Sequence, residues 1–310
     1  MLNVMLRLIV VRLLQLPLIV AIIFLVTFTL AWLIPGNPLQ VTDGKRPPIE
    51  VEMAMKRQYN LDSPWSFLGG YVKNAIMLDF GPSTSYRDQR VSDIIASGLP
   101  ISAALGVAGL IAALHLGILA GVLGALKPGS WLDLSSLAMA LIGVSLPSFV
   151  TGSLLLVLFG GILQWAPVGG WGAARHMVLP ALALGAAPAA YIARLIRLGL
   201  ADVMSSDFIR TARAKGLSVN RALFGHAFKV AFLPVLSFLG PSAAQTMTGS
   251  FVIEKVFAIP GLGDHFVKAV LNKDQYLILG LVLVYATLLI LFNLIVDLAY
   301  AYVDPRIELK

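Results

Sequence analysis

The stretch FIRTARAKGLSVNRALFGHAFK, residues 208–229, holds five Lys or Arg residues and no acid. The chain around it is 58% hydrophobic and only 13% charged. Asp207 offers a side-chain cap for a helix starting at Phe208 and running to Lys215. Gly216 can stop that helix in the left-handed conformation that glycine adopts cheaply. Ser218 can then cap a second helix from Val219 to about Lys229, with Leu223, Phe224, Ala227 and Phe228 on one side. Ser218, Arg221, Gly225 and Lys229 are its more polar positions. The stretch therefore reads as helix, sharp turn, helix, strongly basic and partly apolar.

The surrounding composition decides where such a hairpin sits. Thirteen per cent charge is too little polar surface to cover a globule of 310 residues. The apolar residues fall in blocks, and blocks of about twenty read as membrane spans. The first covers residues 13–34, too long for the core of a signal peptide. Five more cover roughly 101–126, 133–160, 177–198, 230–253 and 277–302. Six spans place both termini on one side. With the amino terminus inside, the inside segments carry 12 Lys and Arg residues and the short outside loops four, the other seven of the 23 lying in the 35–99 loop. That asymmetry predicts cytoplasmic termini and a cytoplasmic 199–229 loop, with 35–99 and 254–276 facing outward. The predicted fold class is an all-α integral membrane protein of six transmembrane helices. The predicted parts are a first segment and span over 1–34, an extracytoplasmic loop domain over 35–99 containing a short helix at residues 50–59, and a five-helix core over 100–310.

Within the spans, Gly117 and Gly121 are spaced four apart. This either lets two helices approach closely or reflects the general frequency of glycine in membrane helices. His115 is the one titratable side chain well inside an apolar block, and a packed or hydrogen-bonded role competes with a relay. Asp297, near the end of the last span, reads as an interface or packing residue. The central parts of the spans otherwise lack the acids and bases of ion-coupled transport. No G-x-x-x-x-G-K-[ST], H-E-x-x-H or G-x-S-x-G occurs, so no catalytic residue, metal ligand or nucleotide site is assigned. With no cysteine, disulfides and thiolate chemistry are excluded. A six-span chain without its own energy source is a passive pore, a scaffold, or part of a machine powered by another subunit. A DNA reader is unsuited to a loop tethered to spans at both ends. A docking element for a cytoplasmic partner accounts together for the charge, the punctuation and the location.

The quoted loop resembles the cytoplasmic coupling loop of binding-protein-dependent ABC importer permeases, which has the form E-A-A-x-x-x-G, nine residues, then an apolar pair and a proline. Arg210, Thr211 and Ala212 occupy the E-A-A positions, Gly216 the glycine, and His226, Ala227 and Phe228 the apolar positions. Arg210 replaces the acid and Lys229 the proline, and both departures resemble the dipeptide/oligopeptide/nickel branch. Further similar segments are LIPGNP, YNLDSPW, LDFGPS, GVSLPSF, LQWAPVGGW, VIEKVFAIPGLGDHFVKAVLNKDQY and NLIVDLAYAYVDPRIE. LDFGPS, LPVLSFLGP and TGSFVIE look most like the oligopeptide permeases, with nickel and glutathione permeases as the alternatives within the branch. The resemblance implies a type I importer permease in the bacterial cytoplasmic membrane. It implies a homologous second permease as partner, two cytoplasmic ATP-binding subunits that hold ATP and Mg, an extracytoplasmic peptide-binding protein, and no nucleic acid. It places ATPase coupling on Arg210, Thr211, Ala212, Arg213, Ala214, Lys215, Gly216, Leu217, Ser218 and Arg221.

Overall fold

The computed structural model describes residues 2–34, 48–86 and 88–303. Most of the proline-rich start of the 35–99 loop, with LIPGNP beyond its first two residues, and the terminal DPRIE lie outside them. Every named element among the described residues is a helix. In order they are α1 (Leu2–Leu33), α2 (Ile49–Gln58), α3 (Pro64–Ala75), α4 (Val91–Leu126), α5 (Trp131–Ser145), α6 (Ser148–Leu155, continued by a π-helical turn at Leu156–Ile162), α7 (Arg175–Met204), α8 (Asp207–Ala214), α9 (Val219–Ala222, continued by a π-helical turn at Leu223–Ala227), α10 (Phe228–Ala231), α11 (Leu233–Val256), α12 (Leu262–Asn272) and α13 (Gln275–Val303).

Among the described residues, four segments are long and apolar enough to cross a membrane: Ile9–Leu33, Val91–Leu126, Arg175–Met204 and Gln275–Leu298. Two bent pairs bring the number to six when each is counted as one span. Residues 133–160 form one apolar block, which by length alone is expected to be one continuous span. The structure breaks it by 112° between α5 and α6. Pro147 explains the break. It has no N–H to donate, and its ring drives the preceding residue out of the helical region; Leu146 sits at φ −91°, ψ 128°. The second pair bends by 50° where α10 meets α11, immediately before Pro234. The fourth helix begins ten residues before the expected block, at Val91. Its first turns carry a buried face of Val91, Ile94 and Ile95 and continue through Pro100.

By internal contacts the chain divides into two units, with three boundaries inside α1, α4 and α13 and a fourth between α11 and α12. One unit comprises Met1–Val10, Ala103–Ile259 and Leu291–Lys310, the other Val11–Ser102 and Pro260–Ile290. The expected division at 34 and 99 followed the linear order of the sequence. The second unit holds the described residues of 35–99 with parts of α1, α4 and α13 and all of α12.

In the first unit α7 is the central element, 67% buried over its most apolar window. Small residues set its distance from α4. A Cβ on Gly117 would stand 2.7 Å from the Ala189 carbonyl oxygen and from the Ile192 Cβ, and one on Gly121 would stand 2.7 Å from the Ala193 carbonyl oxygen and from the Ile196 Cβ. Of the two readings of this glycine pair, close approach is the one realised. At the far end of the seam the roles reverse, with Gly185 of α7 against the Gly109 carbonyl of α4.

In the second unit an aromatic cluster of Phe24, Phe28, Trp32, Phe67, Tyr71 and Tyr276 joins α1, α3 and α13. The Tyr276 hydroxyl donates to the Tyr59 carbonyl at 3.0 Å. Asp274, fully buried, organises the neighbouring corner. It accepts from the Ser83 hydroxyl, from the Ser85 amide at 2.9 Å and from the Leu277 amide at 3.1 Å. A buried carboxylate is tolerable when it is hydrogen-bonded in this way, and here it pins the 83–86 loop to the start of α13. Beside it, His265 Nδ1 lies 2.9 Å from the Tyr86 hydroxyl.

Candidate functional site

The basic hairpin is built on the end of α7. After Met204 the chain turns through Ser205 and Ser206 into α8. The structure corrects the expected cap. Asp207 is the first residue of the helix, with Ser206 in the capping position. The Ser206 hydroxyl donates back to the Val203 carbonyl at 2.6 Å, and Asp207 forms an ion pair with Arg210 at 2.7 Å. Both partners are largely exposed, and exposed pairs of this kind contribute little.

The carboxyl end of α8 follows the expected punctuation. Lys215 closes the helix, and Gly216 has φ +90°. The Gly216 amide donates to the Arg213 carbonyl at 2.9 Å and the Leu217 amide to the Ala212 carbonyl at 3.2 Å. This pair of bonds is a Schellman motif, which satisfies two carbonyls that the helix end would otherwise leave open. Ser218 occupies the capping position of α9, but its side chain makes no capping bond.

Burial divides the hairpin into two faces. Ile209, Ala222, Leu223, Ala227 and Ala231 are fully buried and share one cluster with Ile192, Ile196, Leu200 and Val203 of α7 and Val235 of α11. Of the residues assigned to coupling, Arg210, Thr211, Arg213, Ala214, Lys215, Gly216, Ser218 and Arg221 are exposed, and Ala212 and Leu217 are half-buried. The expected grouping of Leu223, Phe224, Ala227 and Phe228 on one side of the second helix needs correction. Leu223 is buried against the chain's own spans and Phe228 is half-buried, while Phe224 is 61% exposed. Leu223 packs in the same cluster as Ala222 and Ala227, while Phe224, the next residue, points away from it. The outward surface is therefore a basic ring with exposed apolar points at Phe208, Val219 and Phe224.

One element of the site was missed. In the sequence Arg197 reads only as an inside positive charge. Its Nε donates to Asp133 Oδ1, and its Nη2 donates to Asp133 Oδ2 at 2.9 Å. Asp133 also accepts from the Gly129 amide at 2.9 Å, and Ser136 donates to the Ala120 carbonyl at 3.0 Å. This forked ion pair ties α5 to α7, two turns before the hairpin. The available signal was a single acid in the apolar run WLDLSS and a pair of arginines, Arg194 and Arg197, late in another span. His115 is exposed and its Nδ1 lies 2.8 Å from the Ile111 carbonyl of its own helix, which is the hydrogen-bonded alternative. Among the described residues no three His, Cys, Asp or Glu gather as candidate metal ligands.

The chain that carries this hairpin has counterparts among known proteins. Residues 113–309 match the family described as binding-protein-dependent transport system inner membrane component. The oligopeptide transport system permease protein OppB of Haemophilus influenzae is 44% identical over 287 residues, 91% of this chain and 92% of that protein. OppB of Escherichia coli is 43% identical over 290 residues, covering 93% and 94%. The dipeptide transport system permease protein DppB of Bacillus subtilis is 39% identical over 291 residues, 94% of each. Among solved structures, the inward-facing MetNI methionine ABC transporter superposes on 68% of this chain and 96% of its own, with a TM-score of 0.56 at 19% identity. That distant likeness establishes the fold, and the sequence matches across nine-tenths of the chain establish the lineage: the protein belongs to the family of binding-protein-dependent transport system inner membrane components.

Proposed function

We propose that the chain is a permease subunit of an ATP-driven ABC importer for oligopeptides or dipeptides. It would form half of the translocation path with a homologous second permease. Two cytoplasmic ATP-binding subunits would hold ATP and Mg, and an extracytoplasmic peptide-binding protein would deliver cargo to the outer face of the bacterial cytoplasmic membrane. The termini and residues 199–229 are assigned to the cytoplasm, and residues 35–99 and 254–276 to the outside, on the asymmetry of Lys and Arg. The names of the similar permeases support the cargo class.

The observation that carries the reading is the two-faced hairpin. Its apolar face is fused into the core around α7, while Arg210, Arg213, Lys215 and Arg221 are exposed. A partner that moves the free face therefore moves the central span. A pore has no use for such a lever.

The test is uptake of a labelled tripeptide into vesicles holding the full complex, with and without ATP and the binding protein. Uptake that requires both supports the reading. Flux that runs down the peptide gradient without ATP would overturn it.

A further inference from the structure

On α7, the most enclosed span, Tyr191, Arg194 and Leu198 form an exposed stripe in an otherwise largely buried stretch. Tyr191 is 42% exposed. Its ring packs on Phe238 of α11 with centroids 4.3 Å apart. Beside this pair the two helices leave a notch of about 550 Å³ lined by Tyr191, Leu195, Leu233, Pro234, Ser237 and Pro241.

The notch combines aromatic walls with unengaged polar groups. Among the described residues neither the Tyr191 nor the Ser237 hydroxyl has a side-chain or backbone partner. Pro241 has no N–H to give the carbonyl of Ser237, four residues earlier in α11, so that acceptor is released from the helical ladder. One turn along α7 toward α8, Arg194 is exposed and has no ion pair among the described residues. A charged side chain on a span normally faces a watery cavity or a partner. Hydroxyls and a free carbonyl match what every peptide carries, alternating amide donors and acceptors, and flat aromatic walls accept varied side chains. A guanidinium matches the terminal carboxylate.

We propose that this notch is a main-chain contact for the translocating peptide, with Tyr191 and Ser237 holding backbone amides and Arg194 taking the terminal carboxylate. The site would recognise what all cargo peptides share rather than any one side chain. The proposal rests on the peptide-importer reading above.

A photo-reactive benzoylphenylalanine is placed at Tyr191 in the full complex in vesicles and, as a control, at Leu14, which is 73% exposed on α1. With ATP, binding protein and a labelled tripeptide, the 191 probe should capture peptide, excess unlabelled peptide should abolish the capture, and the Leu14 probe should capture none. Arg194→Gln should reduce uptake of the free-carboxylate tripeptide roughly tenfold, and leave the C-terminal amide of the same peptide at its wild-type rate. Capture of a protein subunit instead of peptide at 191, or equal losses for both peptides, would overturn the site while ATP-driven uptake persisted. Absence of ATP-driven uptake by the wild-type complex would instead remove the peptide reading, and this site with it.

Discussion

Replacing Gly216 isolates the conformational contribution of the hairpin. The residue is at φ +90°, and a Cβ built on it meets nothing within 4 Å. Within the chain an added Cβ therefore acts through backbone strain and not through a clash. Forcing an ordinary L-residue to positive φ costs roughly 1–2 kcal/mol, and a β-branched residue costs more. The chain cannot relieve that strain by undocking the hairpin as a whole, because Ile209 on one side and Leu223 on the other are fully buried. Relief must come from the end of α8, by opening the bonds from Gly216 to Arg213 and from Leu217 to Ala212. Docking on the ATP-binding subunits would then have to restore them. Affinity should fall by about 5- to 30-fold for Gly216→Ala, further for Gly216→Val, and less for Gly216→Asn, since asparagine tolerates this region best of the three. The assay is titration of the ATP-binding subunits onto the permease pair in nanodiscs, with membrane abundance as the control. Wild-type affinity for the Ala and Val variants at normal abundance, or an Asn variant weaker than the Val one, would refute the reasoning.

Ile209→Ala should lower the thermal stability of the purified permease pair and uncouple hydrolysis from uptake, since truncating a fully buried Ile costs about 2–5 kcal/mol; unchanged melting and unchanged peptide carried per ATP would count against the clamp. Gly121→Leu places side-chain carbon against the Ala193 carbonyl, where even a Cβ stands at 2.7 Å, so membrane abundance should fall sharply while Gly129→Leu, where a Cβ meets nothing within 4 Å but φ is +73°, should be milder. Burial depresses the basicity of His265, with Asp264 opposing and Lys268 adding to the effect. The neutral form is therefore favoured in the fold, and its contribution is full above the unfolded value near 6.5 and is lost as pH falls below it. Protection factors over residues 260–275, corrected for intrinsic exchange at each pH, should fall between pH 7.5 and 5.5, and His265→Gln should flatten that dependence.

The parts legible in the sequence were those encoded by one local signal. Apolar blocks gave the spans, and a glycine after a basic turn gave the Schellman end at Gly216. The break at Leu146 was equally local, since a proline in GVSLPSF bars the helical conformation before it, yet the continuous apolar run obscured it. Partnership across the chain was not legible. Asp133 and Arg197 are 64 residues apart, and nothing in either neighbourhood names the other. The inward turn of Leu223 escaped for the same reason: an amphipathic helix of four apolar positions does not say which of them faces its own spans and which faces a partner. The notch at Tyr191 depends on two helices meeting and on a carbonyl released by Pro241, and neither is visible in a hydropathy pattern.

Because the chain contains no cysteine, one introduced thiol, labelled on the purified chain before assembly, probes the lever on which the account turns. Phe224, 61% exposed on the hairpin, is replaced by Cys and carries a short photo-crosslinker in the assembled complex. The account predicts capture of an ATP-binding subunit, with a yield that changes when ATP replaces ADP, and no capture from the same probe at Leu14 of α1. No capture of a nucleotide-hydrolysing subunit from Phe224Cys, in a complex that still imports peptide, would contradict it.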